Sequence, residues 1–350
     1  MTEQQRRPTL MDVAEAAGVS RALVSIVMRG APGAAEPTRQ KVLEAARELG
    51  YRPDSRARLL RSSRTKLLGL SFSSSQPFHA EIVDAAYAAA AARGYEIALS
   101  AVANGRPETR AIESLLDFGS EALILISPTL SNQDLAGYAR QVPIVSLLRD
   151  DVDAHVDSVS SDNHAGIRMA VDHLTGLGHR RIVHVDGGTA VAANERRAAF
   201  RTEMLRHGLE PVIVPGGPHE EDGVRAGQFL KADIPSAVIA FNDRSALGLM
   251  ESLRASGLQV PSDVSVLGYD DSQFARLSYV QLSSISQDAP LLAAAAVERA
   301  VDRIEGTQSP THVVRTPHLV VRRTTAPPRS RDAAEVPAKP QAAAPGEGPA

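Results

Sequence analysis

Short apolar runs recur along most of the chain with helix-length stretches between them. LLGLSFSS (67–74), YEIALSAV (95–102), EALILISP (121–128) and PIVSLL (143–148) are bounded by turn residues and predict strands. Between them AEIVDAAYAAAAARG (80–94) and RAIESLLDFG (110–119) carry helical spacing. After DSVSSDN (157–163) the alternation starts afresh with RRIVHVDGG (180–188), PVIVPG (211–216), SAVIAFND (236–243) and VSVLGYDD (264–271). Two runs of β–α alternation predict an α/β fold with two open parallel sheets, and the restart near Asp162 and SQDAP (286–290) mark crossings between two lobes. Gly94, Gly119, Gly178, Gly208, Gly257 and Gly306 stand where helices should stop, as left-handed caps require.

The first fifty residues follow a different rhythm. Thr9-Leu10-Met11-Asp12 has the form of a capping box, predicting a helix from Leu10 to about Ala17 with Val13, Ala14 and Ala17 inward. Gly18 supplies a turn and Ser20 an N-cap for a second helix. A third follows Pro37, carries Val42, Leu43, Ala46 and Leu49 at helical spacing, and stops at Gly50. Helix, glycine turn, helix is the outline of a helix-turn-helix. At about 100° per residue, Leu23, Val24, Val27 and Met28 occupy one half of the second helix. Arg21, Ala22, Ser25, Ile26 and Arg29 occupy the other. That outer mixture suits a DNA major groove, where arginine grips guanine and aliphatic carbons meet the thymine methyl.

Charge supports a polyanion partner for this head alone. Residues 1–65 hold twelve Arg/Lys against seven Asp/Glu, a balance of +5; the whole chain carries −3, which leaves −8 on the rest. With 43% hydrophobic and 23% charged residues the composition is that of a soluble globular protein. The absence of a membrane-length apolar run or an N-terminal signal core predicts a cytoplasmic location. Zero cysteines exclude disulfides, thiolate metal sites and cysteine nucleophiles. His155, His164, His173, His179 and His184 lack metal-ligand spacing and read as surface or cap histidines, so neither metal nor cofactor is expected.

TLMDVAEAAGVSRALVSIVMRG (9–30) and TRQKVLEAARELGYRPDSRARLLRSSRTKLLGL (38–70) resemble the head and hinge of the lactose-repressor (LacI/GalR) transcription regulators, and the likeness runs to about residue 328. The resemblance places Arg21 and Ala22 on base-reading positions and Ser20 and Ser25 on phosphate-contact positions. Leu23, Ile26 and Arg29 depart from the family's usual threonine, arginine and asparagine, so the operator sequence does not carry over. DSRARLLRSSRT (54–65) resembles the hinge that folds on DNA, with Ala57 and Leu60 at minor-groove positions and Arg58, Arg61 and Arg64 near phosphates. The family implies a three-helix head on a body of two periplasmic-binding-protein-like lobes. The expected divisions are a helix-turn-helix domain at 8–54 and a hinge at 55–65. A first lobe follows at 66–162 with 288–312, a second at 163–287 with 313–328, and a disordered tail at 329–350.

Ligands of open α/β sheets bind beyond the carboxyl ends of strands. Those positions hold Ser73 to Phe78, Ser127, Arg149, Asp162, Asn242, Asp270 and Gln287, with Arg196 opening a helix. Asp, Asn and Arg suit vicinal hydroxyls, and Phe78 suits an apolar sugar face. The resemblance implies effector contacts at Gln76, Phe78, Arg149, Arg196, Asn242, Asp270 and Gln287. Leu148 stands where an aspartate is common, while Asp243 and Asp271 read as caps. The expected protein is a homodimer or higher oligomer, a repressor that binds a palindromic double-stranded operator and answers to a small effector, a sugar. Two other readings share the body. A solute-binding receptor has no use for a basic head, and a sugar-processing enzyme lacks support from any phosphate-loop, dinucleotide or nucleophile-elbow motif.

Overall fold

The computed structural model describes residues 8–28, 30–51, 64–306 and 309–329. The expectations for Arg29, Ala57, Arg58, Leu60 and nearly all of the tail therefore lie outside the described residues. Two compact units divide at Thr65 and Lys66.

In the first unit, α1 (Leu10–Ala17), α2 (Arg21–Met28) and α3 (Glu36–Glu48) enclose a small core of Val13, Ala14, Ala17, Val24, Val27, Val42, Ala45 and Ala46. The capping box is present: the Thr9 hydroxyl accepts the Asp12 amide, and Asp12 Oδ2 accepts the Thr9 amide at 2.6 Å. Gly18 takes φ +64°, which lets the Gly18 and Val19 amides return to carbonyls of α1 and sets α2 on its course. Ser20 Oγ accepts the Leu23 amide at 3.2 Å, as an N-cap does. Of the four apolar residues at helical spacing after Pro37, Val42 and Ala46 are buried and Leu43 and Leu49 exposed, while Ala45 joins the core and Tyr51 packs against it. The core these helices enclose is built of valines and alanines, with no fully buried leucine among the described residues of the head.

The second unit holds two six-stranded sheets. In chain order its first part is β1 (Leu67–Ser73), α4 (Pro77–Ala92), β2 (Glu96–Val102), α5 (Glu108–Asp117), β3 (Ala122–Ile126), α6 (Asn132–Ala139), β4 (Ile144–Leu147) and β5 (Asp157–Ser161). Next come α7 (Asn163–Gly176), β6 (Ile182–Val185), α8 (Ala193–Arg206), β7 (Val212–Val214), α9 (Glu220–Leu230), β8 (Ala237–Ile239), α10 (Asp243–Ala255), β9 (Ser265–Asp270) and β10 (Ser283–Ser286). The chain then returns through α11 (Ala289–Ile304), β11 (His312–Arg315) and β12 (His318–Val320). The first sheet runs β11-β5-β4-β3-β1-β2 and the second β12-β10-β9-β8-β6-β7, parallel except where β12 pairs antiparallel with β10. The six glycines expected to cap helices all have positive φ.

Each lobe is discontinuous in sequence, and α11 returns to the first, packing Leu292, Ala296 and Val301 among residues of β1, β3 and α4. Asp157, fully buried, ties that return together: its carboxylate takes Arg299 Nη2 at 2.8 Å, the Thr311 amide at 3.0 Å, and Arg303. The last crossing corrects the expected boundary. Residues 313–315 pair with β5 in the first sheet, so the chain changes lobe at Thr316–Pro317 rather than after His312. Strands β5, β10 and β11 were not foreseen, because DSVSS, SSIS and HVVR carry little of the apolar signature that marks a strand.

Histidine also departs from expectation. His179 and His184 are core residues, not surface ones: His179 bridges Ser236 Oγ at 3.0 Å and the Ala326 carbonyl at 2.8 Å. His184 donates Nδ1–H to the Ile239 carbonyl at 3.0 Å. Among the described residues no group of His, Asp or Glu is arranged to hold a metal ion.

Candidate functional site

Between the carboxyl ends of the two sheets lies a cavity of about 250 Å³. Its walls include Gln76, Phe78, Arg196, Asn242, Asp270 and Gln287, six of the seven positions expected from the sequence. Arg149 is not among them. Its Nε meets Asp151 at 2.7 Å, its Nη1 the Leu130 carbonyl at 2.6 Å and its Nη2 Asn132 Oδ1 at 2.8 Å, so the guanidinium braces the loop after β3. The preceding residue explains the turn: Leu148 has φ +70°, and it is Leu148 that lines the cavity.

Arg196 is the most constrained side chain of the site. Its guanidinium carbon lies 3.5 Å from the centre of the Tyr269 ring and 4.9 Å from that of Phe241. Nε donates to Asn163 Oδ1 at 2.9 Å and Nη1 to the Phe241 carbonyl at 2.7 Å. Asn163 in turn donates to Glu195 at 2.6 Å, and burial holds the Glu195 carboxyl above its usual range, with Asp150 adding to the shift. Asp270 accepts Gln287 Nε2 at 2.6 Å. Burial raises its carboxyl above the usual carboxylate range, and the nearby Arg196 cation opposes that rise.

Asn242 has two duties. Its Oδ1 accepts the Ser245 amide at 2.9 Å as N-cap of α10, while Nδ2 donates to the Pro218 carbonyl at 3.1 Å. The capping role read for Asp243 thus belongs to Asn242. Asp243 is buried behind it, accepting the Ser272 amide and the Ser284 hydroxyl, each at 2.6 Å, and burial with the nearby Asp270 charge raises its carboxyl. Asp271, also read as a cap, pairs with Arg322 at 2.7 Å.

The sequence did not single out His79, Thr129, Asn163 or His219, all of which line the cavity. His79 Nδ1 accepts the Ser73 amide at 3.1 Å, and its Nε2 stands 3.4 Å from Ser127 Oγ. Burial lowers its pKa to about 4, so the ring is neutral and carries its proton on Nε2. No spacing rule marks a lone histidine on an alanine-rich helix; only the pairing of β1 with β3 brings Ser127 to it. Thr129 is held by Glu108 Oε2, which accepts its amide at 2.9 Å and its hydroxyl at 2.8 Å.

In the head, Ser20, Arg21 and Ala22 are exposed, whereas Ser25 and Ile26 are half-buried. Ile26 faces the turn before α3, where a Cβ on Gly33 would stand 3.7 Å from its Cγ2. Leu23, assigned to the buried half of α2, is also half-exposed.

A three-helix head whose second helix opens on the exposed Arg21, together with a two-lobed body around a cavity walled in part by Arg196, Asn242, Asp270 and Gln287, defines a DNA-binding regulator with a ligand-binding-type body. Residues 9–54 match the bacterial regulatory proteins of the lacI family, and residues 171–325 match the periplasmic binding protein-like domain. The transcriptional regulator CelR of Thermobifida fusca is 35% identical over 340 residues, covering 91% of this chain and 99% of that protein. A LacI transcriptional regulator from a Rhodococcus species has a crystal structure that superposes with a TM-score of 0.74 at 44% identity, over 75% of this chain and 100% of that one. The lac repressor dimer bound to operator and the anti-inducer ONPF superposes with a TM-score of 0.78 at 31% identity, covering 92% of this chain and all of that one. The chain belongs to the LacI family: it is a DNA-binding transcription regulator and not an enzyme.

Proposed function

We propose that the protein is a repressor that binds an inverted-repeat operator as a dimer in the cytoplasm and is controlled by an uncharged sugar held between its lobes. The observation that carries the effector assignment is the grouping of one buried cation, Arg196, one carboxylate, Asp270, and the amides of Asn242 and Gln287 around one cavity. Fixed planar donors and acceptors of this kind suit vicinal hydroxyls, and Phe78 offers an apolar face. Arg196 and Asp270 offset each other and the His79 ring is neutral, which favours a neutral ligand over a phosphate. The relatives point the same way: CelR has been crystallised with cellobiose, and the lac repressor with ONPG.

On the DNA side, Arg21 is the base reader, with Ala22 and Ile26 against thymine methyls and Ser20 and Ser25 against phosphates. Arg29 and the hinge residues Ala57, Arg58 and Leu60 complete the contact. Each head occupies one half-site, since dimer symmetry maps onto operator symmetry. Effector binding changes operator affinity through about 1 to 3 kcal/mol of coupling.

Selection of binding sites from random DNA by the full-length protein, followed by a panel of neutral and phosphorylated mono- and disaccharides, tests both halves. The expected outcome is a palindromic consensus whose affinity one neutral sugar alters. A selection without sequence preference rejects the DNA half, and a response confined to phosphorylated sugars rejects the effector half.

A further inference from the structure

Away from the three crossovers, the lobes also meet at the opposite side of the cavity. Crossovers leave the first sheet from β5 and β11, whereas the loop after β1 lies three strands over from β5, roughly 14 Å at the usual spacing of about 4.8 Å per strand. There Glu81, on α4 of the first lobe, accepts two hydrogen bonds from the second lobe. The Gln273 amide donates to Oε1 at 2.5 Å, and Arg276 Nη2 donates to Oε2 at 2.5 Å. Arg276 is itself anchored in its own lobe through Nη1 on the Asp271 carbonyl at 2.5 Å. Nearby, Arg244 of the second lobe donates to the Ser75 carbonyl of the first and to His219 Nδ1 at 2.9 Å while pairing with Glu220.

We propose that Glu81 with Arg276 and the Gln273 amide, seconded by Arg244 on the Ser75 carbonyl, forms a latch that holds the lobes closed over the cavity without any ligand. Three features make this more than a surface ion pair. Glu81 is less than a quarter exposed, it accepts a backbone amide as well as a guanidinium, and charge-assisted bonds of this kind are the stronger class. The contacts join segments far apart in sequence and sit off the hinge line, so that any opening about the crossovers must separate them. Ser75 and His219, which Arg244 touches, both line the cavity, so the latch stands at its rim. Wider opening of the lobes then requires the latch to break.

The chain contains no cysteine, so two introduced ones label it uniquely. Asp117→Cys at the end of α5 and Glu251→Cys on α10 are exposed positions on the two lobes and report their separation by single-molecule energy transfer in the full-length, ligand-free protein. Glu81→Ala and Arg276→Gln are expected to raise the opening rate about two- to fivefold, the fold-change of a partly exposed pair. Arg276→Lys, which keeps the charge but loses the two-pronged guanidinium contact, should fall between the parent and Arg276→Gln. Opening rates equal to the parent in both charge-removing variants overturn the latch.

Discussion

The Arg196 guanidinium rests 3.5 Å from the centre of the Tyr269 ring, and Tyr269 can occupy that place only because residue 166 is glycine. A Cβ at Gly166 would overlap the Tyr269 hydroxyl. A residue buried in α7 thereby determines where the cation of the cavity stands.

Gly166→Ala should therefore displace Tyr269 and, with it, Arg196. The expected cost is about 1 to 3 kcal/mol of stability from overpacking. Effector affinity should fall at least about tenfold, consistent with the loss of one charged hydrogen bond, while operator affinity without effector stays unchanged. Calorimetric titration of the effector beside operator binding checks this; unchanged effector affinity would contradict the proposed seat.

In the head, Arg21→Ala removes the long donor at the exposed start of α2. One position of each half-site should lose its base preference, at about 1 to 3 kcal/mol. A repeated site selection with the variant reads this directly, and an unaltered consensus would remove Arg21 from the reading surface.

Asp157→Asn leaves Arg299 and Arg303 facing a neutral amide in the interior of the first lobe. Removing one partner of a buried pair costs about 3 to 5 kcal/mol. Urea denaturation should show that loss, and a change below about 1 kcal/mol, typical of an exposed pair, would show that water screens the site.

Acid and base should act on stability in opposite senses at two sets of groups. Burial lowers His79 and His184 to about 4 from an ordinary 6.5, so their contribution is complete above pH 6.5 and is lost as the pH falls towards 4. Burial raises Asp243 and Asp270, so theirs is complete below the ordinary carboxylate range and is lost as the pH rises through the raised values. Compared with the parent, His79→Gln should gain urea resistance as the pH drops from about 7 to 5, and Asp243→Asn as it climbs from about 5 to 8. Parallel curves for parent and variants would show that these groups titrate normally.

Much of this is legible in the sequence. Thr9 and Asp12 announced the start of α1, and glycines such as Gly94 and Gly257 announced where helices end, because caps are local and one or two residues decide them. Runs such as ALILI in β3 declared themselves through unbroken apolar content. The serine-rich strands β5 and β10 did not. Their serines are buried through bonds to distant partners, as Ser158 Oγ with His312 Nδ1 at 2.7 Å and Ser284 Oγ with Asp243 at 2.6 Å.

The cavity divides along the same line. Strand-end position brought Gln76, Phe78, Asn242, Asp270 and Gln287 forward and a helix start brought Arg196, each seconded by the family resemblance, since both are properties of the local chain. Arg149 met the same criterion and turned away, because Leu148 adopts a left-handed conformation that faces Leu148, not Arg149, into the cavity. His79 and Asn163 gave no local sign, for their roles depend on Ser127 and Arg196, neither adjacent in sequence.

By itself, the sequence determined the apolar strands, the glycine and Thr9–Asp12 helix caps, the basic head and the family, all of which rest on neighbouring residues and their periodicity. Tertiary structure alone decided which strand-end side chains share the cavity, which protonation states burial imposes, and where Glu81 meets Arg276 across the cleft. Those depend on contacts between residues far apart in the chain, which local periodicity does not encode.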